Sequence, residues 1–373
     1  MKFDVVVGNP PYQENDNGQR EDGSTNASAS PLYHLFEELA EKISAKQSLI
    51  FPARWLTGAG KGLGNFTKKM LNDKHIKFLE LFQNSERVFP NTDIKGGVLF
   101  YTRDNEYLGE TNIVVHSSND IESYAGPLKD KNAKIFIPFK ELANILDKVS
   151  DKTSNFDQQN IQKITSVLKP YGLRTDFFKN QKKYGLPEKL FANKEQAGEN
   201  AITIFGLSQG NKREERYVSM DYPIPVTKTG ENELSPNQDT INTYKVFVPK
   251  AYGAGALGEV IPTPILGKPI LGKPIQIATE TYLRIGNFQA EFEAQSLLKY
   301  IKTKFFRALV GILKTTQDSP NRVYRFVPLQ DFTLNSDIVW NQSISEIDQQ
   351  LYKKYNLNPD EIEFIETKVK EME

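Results

Sequence analysis

The sequence predicts an α/β protein, and three features of its first 110 residues carry that prediction. Short apolar runs with the valine and aromatic content of buried strands recur along this segment. Amphipathic helical patterns lie between them, and the two kinds of element alternate along the chain. Strands that alternate with helices in this way build an open, doubly wound sheet with helices packed on it.

The individual elements follow from hydrophobic periodicity. "FDVVVG" at residues 3–8 is a valine-rich run stopped by Gly8, and it predicts the first strand. Pro31 is placed to start a helix over "PLYHLFEELAEKIS", whose apolar residues recur three and four positions apart. "SLIFPARWL", "IKFLELFQ" and "GGVLFYTRD" predict three further strands, and "FTKKMLND" a helix after the first of them. The polar residues 13–30 predict a loop.

After about residue 125 the alternation fades, and the sequence predicts three domains: 1–125, 126–335 and 336–373. The first is the α/β part. The second is rich in proline and glycine and predicts a mixed α+β domain, with a helix over "FKELANILDKV" and one long helix from about Ala290 to Leu313. The third predicts a tail of two short amphipathic helices joined at "NLNPDE".

Composition and charge limit the functions that the protein can have. The chain has no cysteine, which excludes disulfides and thiolate metal sites, and no metal site is expected. It shows no signal pattern and no apolar run of membrane-spanning length, so we expect a cytoplasmic protein that binds no membrane. Its 47 basic and 47 acidic residues balance, but residues 161–330 hold 24 Lys and Arg against 15 Asp and Glu. That excess favours a polyanion partner or, equally well, a solvated charged face.

The segment "NPPY", Asn9 to Tyr12, directly follows the first predicted strand. Ligands of open α/β sheets bind outside the carboxyl ends of the strands. Asn9 offers a side-chain carbonyl, Pro10 and Pro11 hold rigid main-chain carbonyls without N–H groups, and Tyr12 offers a flat ring. Two fixed acceptors beside an aromatic ring suit a planar amine such as the exocyclic amine of adenine, whose developing positive charge they would stabilise. A simple turn after a strand is the alternative.

The combination "FDVVVGNPPYQ" resembles the catalytic motif of amino-methyltransferases that use S-adenosylmethionine. "SLIFPARWL" and "FPNTDIKGGVLFYTRD" resemble later motifs of adenine-specific (N6) DNA methyltransferases of restriction-modification systems, with the gamma-type motif order. The carboxyl-terminal "TETYLRIGNF", "LLKYIKTKFFRALV", "RFVPLQDF" and "IDQQLYKKYNL" resemble the target-recognition part of the same family. The resemblance is weak over residues 126–240.

This resemblance implies a fold and a set of roles. Residues 1–125 would be the second half of a Rossmann-like methyltransferase sheet, residues 126–335 a DNA target-recognition domain, and residues 336–373 a helical tail. Asn9 and Pro10 would hold the target amine of a base flipped out of double-stranded DNA, and Tyr12 would stack on that base. Tyr101 matches a second stacking aromatic, although the adjacent Phe100 could take that role.

The cofactor site normally precedes the catalytic motif in this family, whereas here only two residues precede "FDVVVG". We therefore expect the S-adenosylmethionine site to be incomplete, with Asn9 as its one member here, in a truncated gene, an expression fragment or a subunit whose partner chain supplies the front half. The glycines of "GAGALG" at 253–258, with Glu280 downstream, do not replace it. The prolines at 262, 264, 269 and 274 exclude the helix that such a glycine motif must open.

Basic and polar residues of the middle domain are candidates for DNA contacts, because Lys and Arg bind phosphate while amide side chains read base edges. The candidates are Lys212, Arg213, Arg216, Lys302, Lys304, Lys314, Gln317 and Arg322. Solvated surface is the alternative for the lysines.

Two other functions stay open. The chain could be a DNA-binding specificity module without activity of its own. It could also be a protein-glutamine methyltransferase, since that family shows the same motif, although the long basic region after the fourth strand argues against it. No carboxylate–lysine cluster typical of a nuclease stands out.

Overall fold

The computed structural model describes residues 3–14, 30–58, 60, 62–92, 94, 96–117, 121–167, 169–180, 190–208, 212–219, 240–253, 257, 262–314 and 316–372. Its contacts divide the chain into two compact units. The first takes in Met1–Ala143 and Gly258–Pro262, and the second takes in Asn144–Leu257 and Thr263–Glu373. In the described part of the chain, no helix combines the length and the apolar character needed to cross a bilayer.

The first unit is built on a mixed sheet, and it confirms the predicted α/β class. Six strands are hydrogen-bonded in the order β1-β2-β4-β3-β5-β6. The strands are β1 (Phe3–Gly8), β2 (Ser44–Pro52), β3 (Ile76–Phe82), β4 (Val98–Asp104), β5 (Thr111–His116) and β6 (Ile121–Gly126). The helices are α1 (Tyr33–Ile43), α2 (Gly64–Leu71) and α3 (Lys140–Lys152), the last of which continues into the second unit.

The sequence pattern did not show the relative directions of the strands. β1 pairs with β2 in parallel and β3 pairs with β5 in parallel, but β4 runs antiparallel to both of its neighbours, β2 and β3. The carboxyl ends of β1, β2, β3 and β5 therefore meet at one edge of the sheet, where β4 begins. Ligand-binding loops are expected at that edge.

One face of this sheet carries the core of the first unit. Helices α1 and α2 pack on it through apolar and aromatic side chains that exclude water almost completely. Its centre is a group of aromatic rings, with Tyr33 stacked on Phe51 at 5.0 Å between centroids and Trp55 edge-on to Phe66 at 5.4 Å. Such burial supplies the main stabilising free energy of the unit.

The second unit combines two small sheets with a group of helices. The sheets have the strand orders β10-β9-β12 and β11-β7-β8. The strands are β7 (Ile202–Leu207), β8 (Arg213–Val218), β9 (Tyr244–Pro249), β10 (Ile270–Gly272), β11 (Gln276–Ala278) and β12 (Tyr282–Phe288). The helices are α4 (Lys194–Ala197), α5 (Glu291–Lys302), α6 (Lys304–Gly311), α7 (Ile344–Lys354) and α8 (Pro359–Lys368).

The predicted single helix from Ala290 to Leu313 is wrong, because the chain breaks at Thr303. That residue is extended, with φ −63° and ψ 148°, and its hydroxyl accepts a hydrogen bond from the Phe306 amide, which makes it the cap of α6. Asp348 of α7 adds a carboxylate that accepts from the Lys304 and Phe305 amides, both at 2.9 Å. A capping threonine and a carboxyl acceptor from another helix together outweigh the continuous helical pattern.

The two short helices predicted at the carboxyl terminus are present as α7 and α8. Each begins with a capping box, in which Ser343 and Asn358 accept from a glutamate amide three residues on. Both helices belong to the second unit.

Candidate functional site

The Asn-Pro-Pro-Tyr segment lies at the carboxyl end of β1, as predicted. β1 is in register with β2 up to Gly8, which pairs with Leu49, and the segment leaves the sheet directly after that pair. Asn9 and Pro11 are exposed, whereas Pro10 is buried. The exposed Asn9 side chain is therefore available at the edge where the parallel strands end.

Backbone hydrogen bonds join the chain after this segment to the residues directly before α1. The Leu32 amide donates to the Tyr12 carbonyl at 3.1 Å, and the Glu14 amide donates to the Ser30 carbonyl at 3.0 Å. Gln13 and Pro31 form an antiparallel bridge between these two bonds. The main chain of Tyr12 is thus fixed against the start of α1.

The Tyr12 ring is half-buried and packs against the core on one side. It also meets Phe89 edge-on, with 6.4 Å between the ring centroids and 64° between the planes. Burial raises the pKa of Tyr12, and the neighbouring Asn9 side chain partly offsets that rise. Although Asn9 is near, the Tyr12 hydroxyl has no partner with hydrogen-bond geometry among the described residues.

A compact loop between β3 and β4 presents Phe89. The Phe89 amide donates to the Ser85 carbonyl at 2.8 Å, and the Thr92 amide donates to the Phe89 carbonyl at 3.2 Å. The Ser85 hydroxyl donates to the Thr92 carbonyl at 2.6 Å and accepts from the Ile94 amide at 2.8 Å. One buried serine therefore ties both ends of the loop and fixes the position of the ring.

Gly97 ends the loop, at a position where a residue with a side chain would not fit. Its φ is +77°, and a Cβ at this position would lie 2.2 Å from the Phe82 carbonyl oxygen. Its carbonyl accepts from the Ala53 amide at 3.0 Å, which links the loop to the end of β2. A residue with a side chain would disturb both strands at the edge that carries the site.

The structure contradicts the stacking role predicted for Tyr101. Its side chain is fully buried in the core of the first unit, 5.5 Å from Phe51, and presents no ring face to a base. Phe100 points to the opposite face of the sheet, where it lies beside Phe78 and Phe82. The aromatic ring that meets Tyr12 is instead Phe89, which sequence reasoning missed. The available signal was its place in the predicted loop after the third strand, which ends at the same edge as the first.

Three of the candidate DNA contacts lie along one outer strand of the second unit. Lys212 and Arg213 are exposed and Arg216 is half-buried, all at or in β8, the outer strand of its sheet. The two arginines have acidic partners in the same strand, Arg213 with Glu215 and Arg216 with Glu214. Each guanidinium also lies over an aromatic ring, at 5.5 Å from Phe205 and 5.3 Å from Phe178. These contacts hold the arginines in place, but the glutamates neutralise much of their charge.

The remaining candidates differ in exposure. Gln317 and Arg322 are exposed on the chain after α6, and Lys302 is half-buried, where burial and Lys268 lower its pKa. Lys304 is paired with Glu366 of α8. Lys314 is fully buried, and its ammonium donates to the Tyr252 and Thr316 carbonyls at 3.2 and 3.0 Å. Because no phosphate can reach it there, the predicted DNA contact of Lys314 is corrected to a structural role.

The glycine segment at 253–258 lies mostly outside the described residues. Gly253 has φ +45°, and the Glu280 carboxylate accepts from the Thr175 amide at 3.1 Å. Glu280 therefore fixes a turn of the second unit.

Taken together, the first unit presents an Asn-Pro-Pro-Tyr segment and a second aromatic ring at the carboxyl edge of an α/β sheet. Residues 1–89 match the sequence model of the Eco57I restriction-modification methylase family. A protein of Mycoplasma pneumoniae described as an uncharacterized adenine-specific methylase is 37% identical over 112 residues. The predicted resemblance to adenine-specific methylases of restriction-modification systems is confirmed in this part of the chain. The match takes in 30% of this chain and 26% of that relative, so the chain spans about a quarter of the length of the curated relative it matches.

Solved structures of restriction-modification enzymes align with the chain at low sequence identity. The type IIL enzyme MmeI in complex with DNA is 12% identical, with 98% of this chain and 56% of that chain covered and a TM-score of 0.48. The type IIG restriction endonuclease BpuSI is 10% identical, with 92% and 50% covered and a TM-score of 0.33.

Proposed function

We propose that this chain takes part in site-specific methylation of adenine in double-stranded DNA, within a restriction-modification system of the cytoplasm. The observation that carries the proposal is the pairing of Tyr12 with Phe89 beside the exposed Asn9. These three residues lie inside the segment that matches a restriction-modification methylase family.

The chemistry follows from the nucleophile. The lone pair of the adenine amine is delocalised into the ring, so the nitrogen attacks only when it becomes pyramidal, and it gains positive charge as it attacks. The Asn9 side chain and the Pro10 carbonyl would accept the two amine hydrogens and stabilise that charge, a form of preorganised electrostatic catalysis. Tyr12 and Phe89 would hold the base that has left the duplex between aromatic surfaces.

S-adenosylmethionine, when bound, would supply a methyl group whose bond to the sulfonium sulfur breaks as the amine attacks, and the amine would then lose one hydrogen as a proton to water. Among the described residues of the first unit, Asn9 is the candidate contact for this cofactor. β1 is the outermost described strand of the sheet. The residues present fit one side of such a site only. We therefore propose that the methyl-donor site is completed by a further polypeptide segment.

The second unit would hold the DNA. Its exposed candidates are Lys212, Arg213, Gln317 and Arg322, with Arg216 and Lys302 half-buried. Phosphate contacts of this kind supply most of the affinity and make it depend on salt. The ion pair between Lys304 and Glu366 would have to break before Lys304 could bind a phosphate.

The experiment is incubation of the purified chain, alone and together with a polypeptide segment that completes the methyl-donor site, with unmodified genomic DNA and S-adenosylmethionine carrying a labelled methyl group, followed by mass spectrometry for N6-methyladenine. Calorimetric titration of the cofactor, with and without DNA, runs beside it. Label in N6-methyladenine that is lost in Asn9→Ala supports the proposal. Label in a protein glutamine, or DNA methylation that Asn9→Ala leaves unchanged, would refute it.

A second candidate is a DNA-binding specificity module without activity of its own. The position of β1 at the edge of the sheet favours it, because among the described residues no strand neighbours β1 on the side where a ligand crevice would form. Salt-dependent DNA binding without cofactor binding, unchanged when a cofactor-binding segment is supplied, would select this alternative.

A further inference from the structure

A tandem duplication in the second unit has no part in the site described above. The pentapeptide Ile-Leu-Gly-Lys-Pro occurs twice in direct succession within residues 265–274, and we name this segment the duplication. Its two glycines, Gly267 and Gly272, are buried against β9, where a Cβ would lie 2.8 and 2.6 Å from a side chain of that strand. Each copy then exposes the lysine that follows, Lys268 in the first and Lys273 in the second. The two copies therefore present two lysines in the same local setting.

Helix α5 packs beside the duplication, and its two ends meet the two lysines. The Lys273 ammonium lies 3.3 Å from a carboxylate oxygen of Glu291, the first residue of the helix. Burial lowers the pKa of Lys302, the last residue of the helix, and the nearby charge of Lys268 lowers it further. The lengths agree, because the 12 residues of α5 and an extended run from residue 268 to 273 each span about 16 Å. The same pentapeptide thus meets a glutamate in its second copy and a lysine in its first.

A buried arginine fixes the start of the first copy next to the end of α5. The Arg307 guanidinium donates to the Pro264 carbonyl at 3.1 Å, and to the Lys302 carbonyl from Nε at 3.2 Å and from Nη2 at 2.9 Å. Ile265, which directly follows Pro264, is buried with φ +65°, a left-handed conformation that β-branched residues rarely adopt. Backbone strain of this kind persists only where the surrounding structure imposes it, and it is concentrated at ligand sites.

The structure thus holds two like charges close together. In the part of the chain that the structure describes, neither Lys268 nor Lys302 forms an ion pair. Lys268 is exposed and Lys302 is half-buried, so a ligand from solvent can approach both. Their mutual repulsion raises the free energy of the unit, and an anion between the two ammonium groups would remove it. An oxyanion with several acceptor oxygens fits best, because each ammonium carries three donors.

We propose that Lys268 and Lys302 together bind one phosphate of the DNA backbone. The choice of ligand rests on the proposed function, because a chain that acts on DNA meets a phosphodiester at every nucleotide. Lysine binds phosphate as a point charge, so two lysines on one phosphate position the duplex without reading its sequence. Lys273 takes no part, because Glu291 neutralises it. The two copies of the pentapeptide therefore differ in role although their sequences are identical.

Fluorescence anisotropy of a labelled DNA duplex, titrated with the full chain over a range of salt concentrations, tests the pair. Lys268→Ala should weaken binding roughly tenfold and reduce the slope of log affinity against log salt concentration by about one. Lys302→Ala should do the same. The double variant should bind little more weakly than either single variant, because both lysines serve one phosphate. Lys268→Arg keeps the charge and should retain the affinity.

The matched control is Lys273→Ala, which removes the same residue from the other copy and should leave DNA binding unchanged. Absence of DNA binding, equal losses in Lys268→Ala and Lys273→Ala, or losses that multiply in the double variant would overturn the inference. Formation of N6-methyladenine, measured with the segment that completes the donor site, separates this result from the proposed function. A coupled loss of DNA affinity without any methylation would leave the inference standing and refute the proposed function. Methylation together with equal losses in the two single variants would do the reverse.

Discussion

The Phe89 ring meets the Tyr12 ring edge-on at 6.4 Å, although 77 positions separate the two residues in the sequence. The contact joins the loop after β3 to the segment after β1, at the edge where the parallel strands end. It gives the Asn-Pro-Pro-Tyr segment a second aromatic ring, as the proposed stacking of a flat base requires, and it does so without Tyr101.

Phe89→Ala is expected to lower methyl transfer to DNA by about 5- to 150-fold, because stacking of one base on one ring contributes roughly 1–3 kcal/mol. Initial rates of N6-methyladenine formation would be measured with the segment that completes the donor site present. The control is Phe100→Ala, a half-buried phenylalanine on the face of the sheet opposite to the core. If Phe100→Ala lowers the rate as much as Phe89→Ala does, the ring that serves the site has been misidentified.

Tyr101→Phe is expected to leave methyl transfer unchanged and to keep or slightly raise the free energy of unfolding. The Tyr101 hydroxyl is buried without a partner among the described residues, so its removal relieves an unpaired polar group. Urea unfolding and the methylation rate together test this. A loss of activity at unchanged stability would restore the stacking role that the structure contradicts.

The sequence predicted most of the elements of the first unit, because buried strands and amphipathic helices leave a periodic pattern. It placed Asn9 to Tyr12 correctly, since the strand ends at a glycine. It could not show that β4 runs antiparallel between β2 and β3, because side-chain alternation is the same in both directions. It also could not distinguish Tyr101 from Phe100, since the face that is buried depends on which helices pack there.

Gly97→Ala is expected to destabilise the first unit by about 2 kcal/mol or more. The substitution combines a left-handed backbone conformation with a Cβ 2.2 Å from the Phe82 carbonyl oxygen, and main chain cannot move aside as a side chain can. Thermal unfolding measures the loss. Gly62→Ala is a useful comparison, because it has φ +78° but no atom of the other described residues within 4 Å of the added Cβ. Equal losses in both variants would show that the contact with Phe82 is unimportant.

Glu215→Gln is expected to tighten DNA binding several-fold and to steepen its salt dependence by about one phosphate contact. The Glu215 carboxylate accepts from Arg213 Nε at 2.8 Å and from the Tyr217 hydroxyl at 2.9 Å, so the neutral amide would free the charge of Arg213. Fluorescence anisotropy over a range of salt concentrations measures both effects. The control for total charge is Glu110→Gln, an exposed residue of the first unit. An equal gain in the control would mean that net charge, and not Arg213, sets the affinity.

Asp348 is expected to make the second unit less stable as pH rises from about 4 to 7. Burial raises its pKa to about 7, although the Phe305 and Lys304 amides and Arg307 act against that rise and Glu366 adds to it. Since the folded state then holds a proton that the unfolded state has released, stability falls through this window, by up to ~4 kcal/mol. Urea unfolding at pH 4.5 and 8 should therefore show a larger decrease in the free energy of unfolding for the wild type than for Asp348→Asn.

Glu346 is exposed on the same helix, and hydrogen bonds from Ser343 lower its pKa. Its contribution to stability therefore has the opposite sign and is lost as the pH falls below the usual pKa range of a glutamate. Glu346→Gln should accordingly follow the wild type between pH 5 and 8, and a flat wild-type profile there would show that the buried Asp348 stays ionised.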